Sequence, residues 1–198
     1  MAYKQTPSQT IGPFFAYGLT AEQYGYAFNQ IATADLLAGV PDMNGERIKI
    51  VGRVLDGNGA AVSDAMIEIW QADAQGRYRH PADDRIANSG FRGFGRVGTG
   101  TDDQARFVFD TIKPASVDGV QAPHITICIF ARGLLNHLFT RIYFDDEVNA
   151  NASDPVLAAV PDDRRHTLLA RRGEDVSGIH YTFDIALQGE NETVFLDI

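Results

Sequence analysis

Apolar and polar residues alternate with a period of two along several short stretches of this chain. Arg47–Leu55 (RIKIVGRVL) alternates well enough for a strand, and the DGNG behind it is a turn. Ala65–Ala72 (AMIEIWQA) reads as the returning strand, with Met66, Glu68 and Trp70 on one face and Ile67 and Ile69 on the other. Arg106–Ile112, His124–Phe130 and Leu138–Phe144 follow. In HITICIF, Ile125, Ile127 and Ile129 face one way and His124, Thr126 and Cys128 the other. Tyr181–Leu187 alternates again, and a GEN turn followed by TVFLDI predicts a closing hairpin.

The stretches between strands are punctuated differently. Pro7, Pro13 and Gly12 make residues 1–19 an extended arm, and its cluster of Ile11, Phe14 and Phe15 is expected to dock on the body. Thr20 with Gln23 forms a capping-box pattern, so TAEQYG predicts a short helical turn. Gln30–Glu46 reads as loop. The glycine-rich 88–100 segment is too irregular for a phosphate-cradling fingerprint and reads as a flexible connection. Asp154 before Pro155 caps a short helix over PVLAAV, and a second helix is expected through DDRRHTLLARR, stopping at Gly173. Short strands separated by turns predict an all-β sandwich with short helical insertions: one domain over 1–198, with 1–19 as an arm.

Composition narrows the function. The net charge of −9 argues against nucleic acid, whose phosphates call for Lys and Arg. A single cysteine, Cys128, allows no internal disulfide and suits the cytoplasm; it is expected to pack as a small hydrophobe. The N-terminus has no apolar signal region, and no apolar run approaches membrane-spanning length. His80, His137, His166 and His180 have no metal-binding spacing, and the Arg164-Arg165 and Arg171-Arg172 pairs read as solvated helix surface. From residues alone Arg132 has two readings: a fork for a carboxylate, or an ion pair with Asp145 or Asp146.

Several motifs in order, EIWQADAQGRYRH, TDDQARFVFDTIKP, APHITICIFARG and TRIYFDDE, resemble the intradiol ring-cleavage dioxygenases. The likeness runs from TPSQTIGPFF to GENETVFLDI and is strongest to the alpha subunits of the two-chain members, which act on 3,4-dihydroxybenzoate in aromatic catabolism. It implies a transthyretin-like β-sandwich. It also implies a ferric ion held by two tyrosines and two histidines, tyrosinate being a hard anionic donor that favours Fe(III). Tyr78 matches the first tyrosine and His124 the first histidine. The segment Ser116–Gly119 lacks the second tyrosine, and Thr126 stands where the second histidine belongs.

The resemblance therefore implies a chain that binds no metal itself. Fe(III) would belong to a beta subunit in an (αβ)n assembly that converts 3,4-dihydroxybenzoate and O₂ to 3-carboxy-cis,cis-muconate. This chain would close over the partner's site with Thr10, Gly12, Pro13 and Phe14 of the arm and with Arg132. Gly12-Pro13 would let backbone approach a flat ring closely. The alternatives are a self-sufficient catechol or hydroxyquinol dioxygenase with an altered ligand set, and a transthyretin-like binding module without catalysis.

Overall fold

The chain is described here by a computed structural model, which defines residues 9–27, 31–40, 44–85 and 90–197. Among these residues nine strands form its body: β1 (Arg47–Leu55), β2 (Met66–Gln71), β3 (Phe94–Gly98), β4 (Arg106–Ile112), β5 (His124–Phe130), β6 (Leu138–Phe144), β7 (Leu169–Asp175), β8 (Gly178–Thr182) and β9 (Ile185–Ala186). Hydrogen bonding runs in the order β3-β2-β5-β6-β7-β8-β1-β4, with β9 alongside β1. One half, β3-β2-β5-β6, is antiparallel throughout. A two-pair parallel contact between β6 and β7, Tyr143↔Leu169 and Phe144↔Ala170, connects it to the other half.

Alternation explains why the halves close on each other. Ile67 and Ile69 of β2, Ile125, Ile127 and Ile129 of β5, and Ile142 of β6 are fully buried in one cluster. Ile50 of β1, Phe107 and Phe109 of β4, and Tyr181 of β8 meet them there from the other half. Each buried isoleucine contributes roughly 1.5–3 kcal/mol relative to exposure, so the inward face holds the sandwich together. Gly52 is set by the closeness of this packing: a Cβ there would lie 1.8 Å from the Phe183 carbonyl oxygen and 2.6 Å from the Phe107 ring.

The predicted strands β1, β2, β4, β5 and β6 form where alternation placed them, but β2 does not return along β1. Its partners are β3 and β5, while β1 pairs with β4. The 88–100 segment is not a loose connection, because Phe94–Gly98 is an edge strand. Its glycines permit close approach: a Cβ on Gly95 would sit 2.5 Å from Leu36 and 3.2 Å from Ile69.

The expected helix through DDRRHTLLARR is also corrected. Only Arg165–Leu168 turns, as a 3₁₀ segment, and the chain then extends through Gly173 as β7, which pairs antiparallel with β8. Leu168 and Ala170 are buried in different clusters, which a continuous helix would not serve. The arginines are not helix surface either: Arg164 and Arg165 donate to the carbonyls of Glu192 and Val160, and Arg171 and Arg172 lie on β7.

Among the described residues the chain end forms no hairpin beyond one backbone contact across the turn, where the Thr193 N–H donates to the Ala186 carbonyl. Val194 and Leu196 instead donate to Thr167 Oγ1 and the Phe139 carbonyl. The helix over PVLAAV forms as α3 (Pro155–Ala159), preceded by α2 (Val148–Ser153). Asp154 caps α3, accepting from the backbone N–H groups of Val156 and Leu157.

The arm departs from expectation in a useful way. It is extended over the described residues before Pro13, but α1 (Pro13–Leu19) is a helix with proline at its first position, where no N–H is needed. Thr20 does not cap the turn that follows. Its hydroxyl donates back to the Ala16 carbonyl, and Gln23 reaches a sheet edge instead. Among the described residues no helix is long and apolar enough to cross a membrane.

Candidate functional site

Two separate regions carry the residues with chemistry. The first is where the arm meets the open end of β2, β3 and β5. Gln23 clamps the backbone of the β3 edge: its Nε2 donates to the Gly98 carbonyl at 3.1 Å, and its Oε1 accepts from the Gly98 N–H at 2.7 Å. An edge strand exposes such groups, so a side-chain amide that pairs with them fixes the arm's base. Tyr17 packs edge-on against Tyr24 and Tyr26, with ring centroids 4.8 and 6.0 Å apart.

Thr10 then ties the arm to the turn after β5. Its hydroxyl accepts from the Gly133 N–H at 2.8 Å and donates to the Ala131 carbonyl at 3.4 Å. Arg132 sits between those two residues. Its side chain is 71% exposed, and its Nε forms an ion pair with Asp64 Oδ2 at 3.0 Å. The pairing with Asp145 or Asp146 does not occur: Asp145 accepts from the Arg172 N–H, and Asp146 binds Lys113 and the Tyr181 hydroxyl.

Arg132 and Gly12 line one cleft of about 100 Å³ with Ile11, Phe15, Tyr24 and Asp64. Ile11 therefore docks, whereas Phe14 is 86% exposed and faces away from the body. Sequence reasoning missed Asp64. It lies 68 positions from Arg132, and no local pattern links a turn before β2 with a turn after β5.

The second region is the outward face of β3-β2-β5-β6. Cross-strand register places Phe94, Trp70, Thr126 and Arg141 in one row, with His124 and Tyr143 adjacent as a pair. Tyr78 stacks on Trp70, with centroids 5.5 Å apart and planes 10° from parallel. Its backbone is held by Asp83, which accepts the Tyr78 N–H at 2.8 Å. Arg85 grips Asp83 with two nitrogens and donates to the Val117 carbonyl, tying this loop to the Ser116–Gly119 segment. Trp70, Tyr78, His80, Asp83, Arg85 and Phe94 border an open hollow of about 700 Å³.

Beneath that face lies a satisfied polar network. Asp154 is fully buried and accepts from Val156, Leu157 and Ala122 N–H groups and from the Tyr143 hydroxyl. Burial pushes the Tyr143 phenol up to about 12. His124 is buried, with Nδ1 2.8 Å from the Ala122 carbonyl. Burial lowers its pKa, and the Arg141 charge adds to that. Arg141 also lowers the Tyr78 phenol against a larger upward push from burial. Burial, with Glu68 opposite, raises the Cys128 thiol to about 12, so it is a poor nucleophile.

Tyr78, His124 and Thr126 thus share a neighbourhood, but they do not fit a ferric ion. The set supplies one phenol, one imidazole and a neutral aliphatic alcohol. The Ser116–Gly119 segment is closed on itself, Ser116 Oγ donating to the Gln121 carbonyl and accepting from Gly119 N–H. Arg141, missed in the sequence, adds a permanent cation to the same row. Among the described residues no group of three or more His, Cys, Asp or Glu could hold a metal ion.

A family model described as "Dioxygenase" matches residues 22–189. The chain is 52% identical over 196 residues to a protocatechuate 3,4-dioxygenase alpha chain of Burkholderia cepacia, covering 98% of both chains. It is 35% identical over 161 residues to the beta chain from the same organism, covering 75% of this chain and 67% of that one. Among solved structures, the dioxygenase domain of a carbohydrate-binding fusion protein from Streptomyces sp. SirexAA-E matches with a TM-score of 0.59 and 21% identity. That match covers 92% of this chain and 99% of the other, and it shows a shared fold.

Proposed function

The chain belongs to the intradiol dioxygenase family, and on that premise we propose that it is the alpha subunit of a protocatechuate 3,4-dioxygenase. In this reading a beta subunit of the same fold holds Fe(III), which supplies the ring-opening chemistry in the cytoplasm. The reaction adds O₂ across the bond between the two hydroxyl-bearing carbons of 3,4-dihydroxybenzoate, giving 3-carboxy-cis,cis-muconate with no atom lost. The present chain contributes a wall of the pocket and the contact to the substrate carboxylate.

The observation that carries the proposal is the anchored turn at Arg132. Thr10 fixes the backbone on both sides of it, so the arm and the guanidinium present one surface. The Nε of Arg132 is engaged by Asp64, leaving its terminal nitrogens for a second carboxylate. An exposed ion pair of this kind contributes roughly 0–1 kcal/mol, so a substrate carboxylate can compete for the fork. Gly12, Pro13 and the outward-facing Phe14 would then lie against the partner subunit and its bound ring. A homomeric catechol or hydroxyquinol dioxygenase would need a ligand set that Tyr78, His124 and Thr126 do not make.

Co-expression with an iron-bearing beta chain tests the reading. The complex is expected to cleave 3,4-dihydroxybenzoate, with iron recovered in the beta chain after separation. Turnover by the present chain alone would overturn it.

A further inference from the structure

The outward face around Thr126 poses a question that the subunit role leaves open: what would oppose a metal at a face that keeps a tyrosine and a histidine. Missing ligands are one answer, but the register of β5 and β6 gives a second. Arg141 stands directly opposite Thr126, and Trp70 flanks Thr126 on the other side with Tyr78 stacked upon it. The guanidinium is held in place there. One terminal nitrogen donates to Gln121 Oε1 at 2.8 Å and to the Tyr143 hydroxyl at 3.3 Å. Tyr143 in turn donates to the buried carboxylate of Asp154.

Neither acceptor is a carboxylate in direct contact with Arg141, and no ion pair to it is formed among the described residues. Its positive charge is therefore carried by neutral dipoles. The other charged groups that act with Arg141 on His124 or Tyr78 are Asp118 on the β4–β5 loop, Asp154 at the start of α3, and the Asp83–Arg85 pair of the Tyr78 loop. Asp118 is occupied by Val120 and Gln121, Asp154 by its network, and Asp83 by Arg85.

We propose that Arg141 is a built-in cation that takes the electrostatic place of the metal in this chain. It keeps the outward face polar, compact and closed to ferric iron. Like charges close together in a half-buried site repel strongly, so supplying a missing ligand is not sufficient to create a metal site while Arg141 remains. The proposal concerns this chain's own outward face and stands apart from the role of Arg132 in the partner's site.

The test uses the full chain in three forms, Thr126→His, Arg141→Gln, and the two combined, each titrated with Fe(III) and followed by the visible tyrosinate-to-iron absorption. The combined variant is expected to acquire the band and to bind Fe(III) about ten- to a hundredfold more tightly than Thr126→His, the scale of effects from residues around a metal's ligands. Each single variant is expected to stay colourless. Thermal unfolding of all three forms reports whether the fold survives. For folded variants, equal binding by Thr126→His and the combined form would overturn the proposal, and so would a combined form that binds no iron.

Discussion

The arm cleft and the outward face of β5 are built from the same kinds of residue yet are held in opposite ways. At the arm, Arg132 is mostly exposed, its one ionic partner among the described residues is Asp64 on another turn, and the backbone on both sides of it rather than its side chain is fixed, by Thr10. On the outward face, Arg141 is half-buried and its side chain is fixed through Gln121, Tyr143 and, beyond them, Asp154. A guanidinium meant to receive something from outside needs an open fork and a replaceable partner. One that completes a structure needs its donors spent internally. The two arginines show that difference within one chain.

The largest effect that would break the comparison lies under the outward face. Asp154→Ala strands three backbone N–H groups and a buried hydroxyl, so a loss of about 3–5 kcal/mol is expected in urea unfolding of the full chain. A loss below about 1 kcal/mol would mean that this network does not hold the region.

At the arm the expected effect is on binding. In the αβ complex, Arg132→Ala should raise KM for 3,4-dihydroxybenzoate roughly ten- to a hundredfold, as removal of a charge-assisted bond of about 1.5–3 kcal/mol implies. Catechol, which lacks the carboxylate, should be little affected, and stability should change by less than about 0.5 kcal/mol. Equal loss for both substrates would remove the carboxylate role.

A smaller effect separates the regions by pH. His124 is buried and its folded pKa is depressed, so the unfolded chain takes up a proton before the folded one does. Its contribution to stability is therefore complete above the ordinary histidine value of about 6.5 and is lost as pH falls below it. Comparing urea midpoints at about pH 7.5 and pH 5.5 should show a smaller drop for His124→Gln than for the unchanged chain. An identical drop would place the pH dependence elsewhere. Smallest is Asp64→Asn, which removes the competing anion and should lower KM for 3,4-dihydroxybenzoate about two- to fivefold, the scale of an exposed ion pair. A raised KM would show that Asp64 orients Arg132 rather than competing for it.

The sequence alone determined the strands whose inward residues are large and spaced by two, because burial of one face leaves a period that can be read directly: Ile67 and Ile69, Ile125 to Ile129, Phe107 and Phe109. It also determined the α3 cap, where Asp154 and Pro155 act within one turn, and the absence of tyrosine and histidine at Thr126 and Ser116–Gly119, since a residue type is visible without coordinates.

Tertiary structure alone decided the rest. Phe94–Gly98 is a strand because neighbouring side chains need the room its glycines leave, a reason that lies outside the segment. Leu169–Asp175 is a strand because β6 and β8 pair with it, although its composition suits a helix as well. Pro13 opens a helix rather than forbidding one, since the first helical position needs no N–H. Asp64 and Gln121 became partners of Arg132 and Arg141 through contacts across 68 and 20 positions of chain. Local pattern carries backbone period and residue chemistry. Which charge meets which is fixed only when distant turns and strands are brought together.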